Sequence, residues 1–129
     1  MTEALRPEQW ITLAEKDLAM GVLASSSSEL AAGIGFQAQQ CAERALKALL
    51  IHIGADLPRT HDLQEKLSAL RIAGVLVPPE FDALDALSPF AVELRYAAPD
   101  TVSIDEARHA LALARQALDW VKAKIGAVP

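Results

Sequence analysis

Phe36-Gln-Ala-Gln-Gln-Cys-Ala-Glu-Arg-Ala-Leu-Lys-Ala-Leu-Leu50 is composed almost wholly of strong helix formers. Advanced by about 100° per residue, its side chains sort into two arcs. Gln39, Gln40, Glu43, Arg44 and Lys47 share one arc, with Gln37 at its edge. Ala38, Cys41, Ala42, Ala45, Leu46, Ala48 and Leu49 share the other. Small residues dominate the second arc, so neighbouring helices can approach closely there. On periodicity alone the first arc reads as a solvated helix face. Its Glu43–Lys47 pair, four residues apart, would then add only ~0.2–0.5 kcal/mol.

Working outward, the same logic predicts five helices. The first opens with Pro7 in its first turn and runs to about Ser25. The serine run Ser25–Ser28 is a turn or a frayed helix end. The second helix begins between Glu29 and Ile34, weakened there by Gly33 and Gly35, and stops at Gly54. Asp56-Leu-Pro-Arg59 is loop, and Thr60 is the expected N-cap of a third helix ending at Gly74. Pro78-Pro79 opens a fourth that ends near Tyr96. Ser103-Ile-Asp-Glu106 is a capping-box pattern for a fifth, which runs to Lys124 and closes at Gly126. Along it Ile104, Ala107, Leu111, Ala114, Leu118, Val121 and Ile125 form a seam of alternating three- and four-residue steps. Such a seam packs at a shallow angle, as in a bundle.

Composition agrees. Alanine supplies 25 of 129 residues and aromatics only 5%. No stretch of β-branched alternation is long enough for a strand. The length suits one domain over residues 1–129. The hydrophobic fraction is 52%, yet no apolar run reaches the ~18 residues of a membrane span. Met1 to Pro7 lacks a basic stretch followed by an apolar core, so a signal peptide is not expected. The lone Cys41 excludes an internal disulfide and reads as a small buried hydrophobe. A cytoplasmic, membrane-free protein is the expectation. A net charge of −5 argues against strong non-specific binding to nucleic acid.

Few residues outside the stripe carry chemistry. Asp17 lies in the middle of the first helix, Arg95-Tyr96 ends the fourth, and His61 follows the expected cap. If these converge on Glu43 and Lys47, the charged groups must satisfy one another on leaving water. The result would be a phosphate or nucleotide site, or a polar subunit seam. Two readings of His61 stand: its ring meets the end of another helix, or it is only part of the cap and turn. His52 falls on the apolar arc and reads as packed, and His109 reads as surface. No Cys-x-x-Cys, Glu-x-x-His or His-x-x-x-His spacing is present, so neither a metal nor another cofactor is expected. Gly33-Ile-Gly35 is too short for a phosphate-cradling loop.

These pieces together resemble the HEPN-domain family, the higher-eukaryote and prokaryote nucleotide-binding domains. The resemblance rests on Ala14-Glu-Lys-Asp17-Leu18, on Phe36 to Leu50, on Thr60-His61-Asp62-Leu63, on Leu94-Arg95-Tyr96 and on Ser103-Ile-Asp-Glu-Ala107. In order and spacing it spans about residues 8–124. It implies an all-α, up-and-down antiparallel four-helix bundle with a short additional helix, commonly a homodimer. It also implies work beside a minimal nucleotidyltransferase or in a toxin–antitoxin pair, with a nucleotide or RNA as ligand. Asp17, Glu43, Lys47, His61, Arg95 and Tyr96 would line the nucleotide or phosphate site.

Many relatives are metal-independent ribonucleases that use Arg, four to six residues, then His. Here the positions after Arg95 hold Asp100, Thr101 and Val102, and those before His61 hold Gly54, Ala55 and Asp56. Metal-free cleavage needs a proton-transfer group and a cation for the developing charge. Arg95 supplies a cation without a histidine beside it in sequence. The sequence therefore favours a non-catalytic module. The alternatives are a divergent ribonuclease using Arg95, Tyr96 and His61, and a purely structural dimeric partner.

Overall fold

The structure, a computed structural model, describes residues 5–92 and 102–126. Among them are five α-helices, two 3-10 segments and no strand. The helices are α1 (Pro7–Ala24), α2 (Ala31–His52), α3 (Leu63–Ile72), α4 (Ser88–Val92) and α5 (Ile104–Gly126). The 3-10 segments are Ser28–Leu30, which leads into α2, and Pro79–Leu87, which leads into α4.

Helix α2 is the spine, packed along both α1 and α5. Its small-residue arc makes this possible: Ala38, Cys41, Ala42, Ala45, Leu46 and Ala48 have no exposed surface. Cross-contacts fix the directions. Trp10 meets Lys47 and Asp17 meets Arg44, so α1 and α2 run antiparallel. Glu15 meets Lys122 and Ser25 meets Arg108, so α1 and α5 are antiparallel as well. The segment from Pro79 through α4 runs against α5, with Phe81 edge-on to Trp120 at 5.1 Å and Phe90 beside Ala110 and Leu113. The predicted seam of α5 is buried from Ala107 to Val121, and Ala110, Leu113 and Ala117 widen it to serve more than one neighbour. Each leucine buried in this core contributes on the order of 1.5–3 kcal/mol.

Helix ends follow local chemistry. Ser103 Oγ accepts from Glu106 N at 3.0 Å, and Glu106 Oε1 accepts from Ser103 N, which completes the expected box. Gly54 (φ 72°) and Gly74 (φ 94°) close α2 and α3 in the left-handed region. Two boundaries depart from expectation. Asp62, not Thr60, caps α3, its Oδ1 accepting from Gln64 N at 2.8 Å. Thr60 Oγ1 instead accepts from Asp62 N and donates to Glu65, which bends the chain ahead of the helix. The predicted fourth helix is a 3-10 segment joined to a short α-helix. Pro89 has no N–H for the Asp85 carbonyl, and its ring crowds that position, so a continuous α-helix cannot run through the junction. The stretch of that element holding Arg95 and Tyr96 lies outside the described residues.

The two helical glycines of α2 have opposite meanings. A Cβ on Gly35 would collide with the Phe90 ring, whereas one on Gly33 would meet nothing within 4 Å. Gly35 is the point where α4 presses against the start of α2. We therefore expect Gly35→Ala to destabilise by about 1–3 kcal/mol through overpacking. Gly33→Ala should stabilise by roughly 0.5–1 kcal/mol through helix propensity. Urea unfolding midpoints of the two variants check this pair of signs.

Candidate functional site

The polar arc of α2 is not a wet face. Gln39 has no exposed surface, and Glu43 is 3% exposed. The reason is the return path of the chain. After α2 ends, residues 53–62 fold back along it and set His61 against the middle of the helix. The His61 ring therefore meets mid-helix Glu43, not the end of another helix.

Glu43 is enclosed by donors. Gln39 Nε2 donates to its Oε1 at 3.0 Å. His61 Nδ1 lies 3.0 and 3.1 Å from its two oxygens. Lys47 Nζ is 3.2 Å from Oε2. A carboxylate accepts only, so His61 carries its proton on Nδ1. Burial by itself would raise the Glu43 carboxyl. The hydrogen bonds from Gln39 and His61, with the charges of Lys47 and Lys66, overcome that and hold it below the ordinary value. Lys66 comes from α3, is wholly buried, and donates to the Thr60 carbonyl. Burial also pushes its ammonium below the usual lysine value, against the pull of Glu43.

A second ion pair flanks this cluster. Arg44 Nη1 donates to both oxygens of Asp17, at 2.9 and 3.0 Å. Burial raises the Asp17 carboxyl, and Arg44 offsets only part of that. Lys47 also lies 4.9 Å from the centroid of Trp10, a cation–π distance. Two buried polar atoms, Gln39 Oε1 and Trp10 Nε1, have no hydrogen-bond partner among the described residues. Such atoms mark where water or a ligand group is accommodated. Cys41 is the buried hydrophobe expected of it, its thiol pushed up to about 12 chiefly by burial.

The structure thus brings Glu43, Lys47 and His61 into direct contact and seats Asp17 beside them on Arg44. Arg95 and Tyr96 lie outside the described residues. His109 is exposed as expected, but His52, the last residue of α2, is exposed too. Sequence reasoning passed over Lys66 and Trp10. A signal for Lys66 was present: at helical spacing it falls between Leu63, Leu67 and Leu70 on the apolar arc of α3. A lysine at the centre of a leucine face requires a buried counter-charge.

The pH dependence follows from these directions. Glu43 is held below its unfolded value of 4.5, so its contribution is complete above that value. It is lost as pH falls through the lower folded value. Asp17 acts with the opposite sign, and its cost is relieved as pH falls through its raised folded value. Glu43→Gln should therefore flatten the acid limb of stability, and Asp17→Asn should steepen it. Urea titrations from neutral pH down through the carboxylate range measure both slopes. Parallel acid limbs in wild type and Glu43→Gln would contradict the assignment.

Comparison with known proteins converges on one description. The family profile for the HEPN domain matches residues 7–124. The crystal structure of ST0689, an archaeal HEPN homologue, aligns at a TM-score of 0.68 and 26% identity. That alignment covers 95% of this chain and 99% of that one. No curated protein matches this chain.

Proposed function

The chain belongs to the HEPN-domain family, and on that premise we propose that it is a non-catalytic binding module whose ligand surface is the polar face of α2. The observation that carries this reading is where the charge cluster reaches solvent. The carboxylates are covered, with side-chain exposures of 4% for Glu43 and 10% for Asp17. The side chains that bond them from α2 and the returning loop are more open: Lys47 at 20%, Arg44 at 28% and His61 at 71%. The buried acids orient the donors, and the donors form the accessible rim. Such a rim suits an anionic group such as the phosphate of a nucleotide.

In this reading Lys47 contacts phosphate, and His61 and the Trp10 edge border the ligand. Asp17 and Glu43 hold the cations in place. Arg95 would add a second phosphate contact, and Tyr96 a ring face or hydroxyl. The biological setting we propose is a homodimer working in the cytoplasm beside a minimal nucleotidyltransferase, including the toxin–antitoxin form of that pairing. No helix among the described residues is long and apolar enough to cross a membrane.

A ligand that binds only the folded state raises its melting temperature by mass action. Millimolar ATP or GTP, with and without magnesium, should raise Tm by a few degrees. Lys47→Ala should remove most of that shift, read against the variant's own ligand-free Tm, which falls because Glu43 loses a partner. Absence of a shift with either nucleotide under both conditions rejects the nucleotide reading.

A further inference from the structure

The Glu43–His61 contact has chemical consequences beyond holding the turn. Both Glu43 oxygens lie within 3.1 Å of Nδ1, which fixes the neutral tautomer with its proton there. Nε2 then carries the free lone pair, on a side chain that is 71% exposed. A carboxylate behind Nδ1 strengthens Nε2 as a nucleophile because it stabilises the positive ring formed on attack. Gln39 and Lys66 complete the surround: one donates to the His61 carbonyl, and the other, through Thr60, fixes the preceding carbonyl. The ring is therefore anchored through its side chain and through the backbone on each side.

We propose that His61 is a phosphoryl-acceptor histidine, modified at Nε2 by donors of the phosphoramidate class. In the step, the Nε2 lone pair attacks phosphorus and the P–N bond of the donor breaks. The donor nitrogen is already protonated at neutral pH, so the electron pair leaves with it as neutral ammonia when the donor is phosphoramidate itself. The Nδ1 proton stays shared with Glu43, so no outside acid or base is required. The product carries its positive ring against Glu43. This step is a modification of the chain, independent of nucleotide binding, and its test contains no nucleotide.

The protein carries its own controls. His52 and His109 are also exposed, and among the described residues neither makes an ion pair. The intact chain is incubated with potassium phosphoramidate at neutral pH, and acid-labile phosphate on each histidine is followed by mass spectrometry. His61 should react on the order of tenfold faster than either control, as expected of an imidazole activated by a neighbouring carboxylate. Glu43→Gln should bring His61 down to the rate of the controls. Equal rates at the three histidines of the wild-type chain overturn the proposal, and so does a Glu43→Gln variant that keeps the advantage. The wild-type comparison needs no variant, so it is decisive even if Glu43→Gln does not fold.

Discussion

A carboxylate in the middle of a packed helix constrains most of what surrounds it. Moving an ion of that kind out of water costs several kcal/mol unless donors replace the lost solvent. Around Glu43 the replacements come from three separate places. Gln39 and Lys47 come from its own helix, one turn to either side. His61 comes from the returning loop, and the Lys66 charge from α3. The loop must therefore double back along α2, and α3 must turn a lysine inward. The cap at Asp62 and the Thr60 turn are the local chemistry that allows both. The counterpart on α1 is Asp17, whose own burial is offset only in part by Arg44.

The division of labour along α2 follows from this. Its small-residue arc gives close packing against α1 and α5, which supplies stability without specifying any chemistry. Its polar arc specifies how the loop and α3 are placed. One helix thus serves as both the core of the bundle and the floor of the candidate site. The positions nearest solvent are cationic or imidazole groups, and the positions nearest the core are acidic or amide. That gradient gives an anion something to approach on a protein whose net charge is −5.

Much of the fold was legible in the chain because it depends on short-range rules. The α5 seam, the Ser103–Glu106 box and the glycines closing α2 and α3 are all set by neighbours within a few residues. The fourth helix misled because Pro89 acts through a missing hydrogen bond, which hydrophobic periodicity does not register. The site was legible only by residue type. Asp17, Glu43, Lys47 and His61 could be named, but periodicity made their face a wet one. Burial depended on a loop folding back from residue 52 to residue 61, a long-range event with no local signature. Lys66 was the available clue, because a lysine among Leu63, Leu67 and Leu70 implies a buried acid elsewhere. His52 shows the converse: helical phase assigned it to the core, but it is exposed at the last residue of α2.

The charges of Glu43 and Lys66 act on each other across α2 and α3, each easing the other's burial. A double-mutant cycle measures that coupling directly, using Glu43→Gln, Lys66→Met and the combined variant in urea unfolding. Lys66 joins the Glu43 network through the Thr60 carbonyl, next to His61, and charged residues in one network couple by roughly 0.5–3 kcal/mol. This structure predicts a coupling of about 1 kcal/mol or more, with the double variant less damaged than the sum of the singles. Strict additivity of the two substitutions would contradict it.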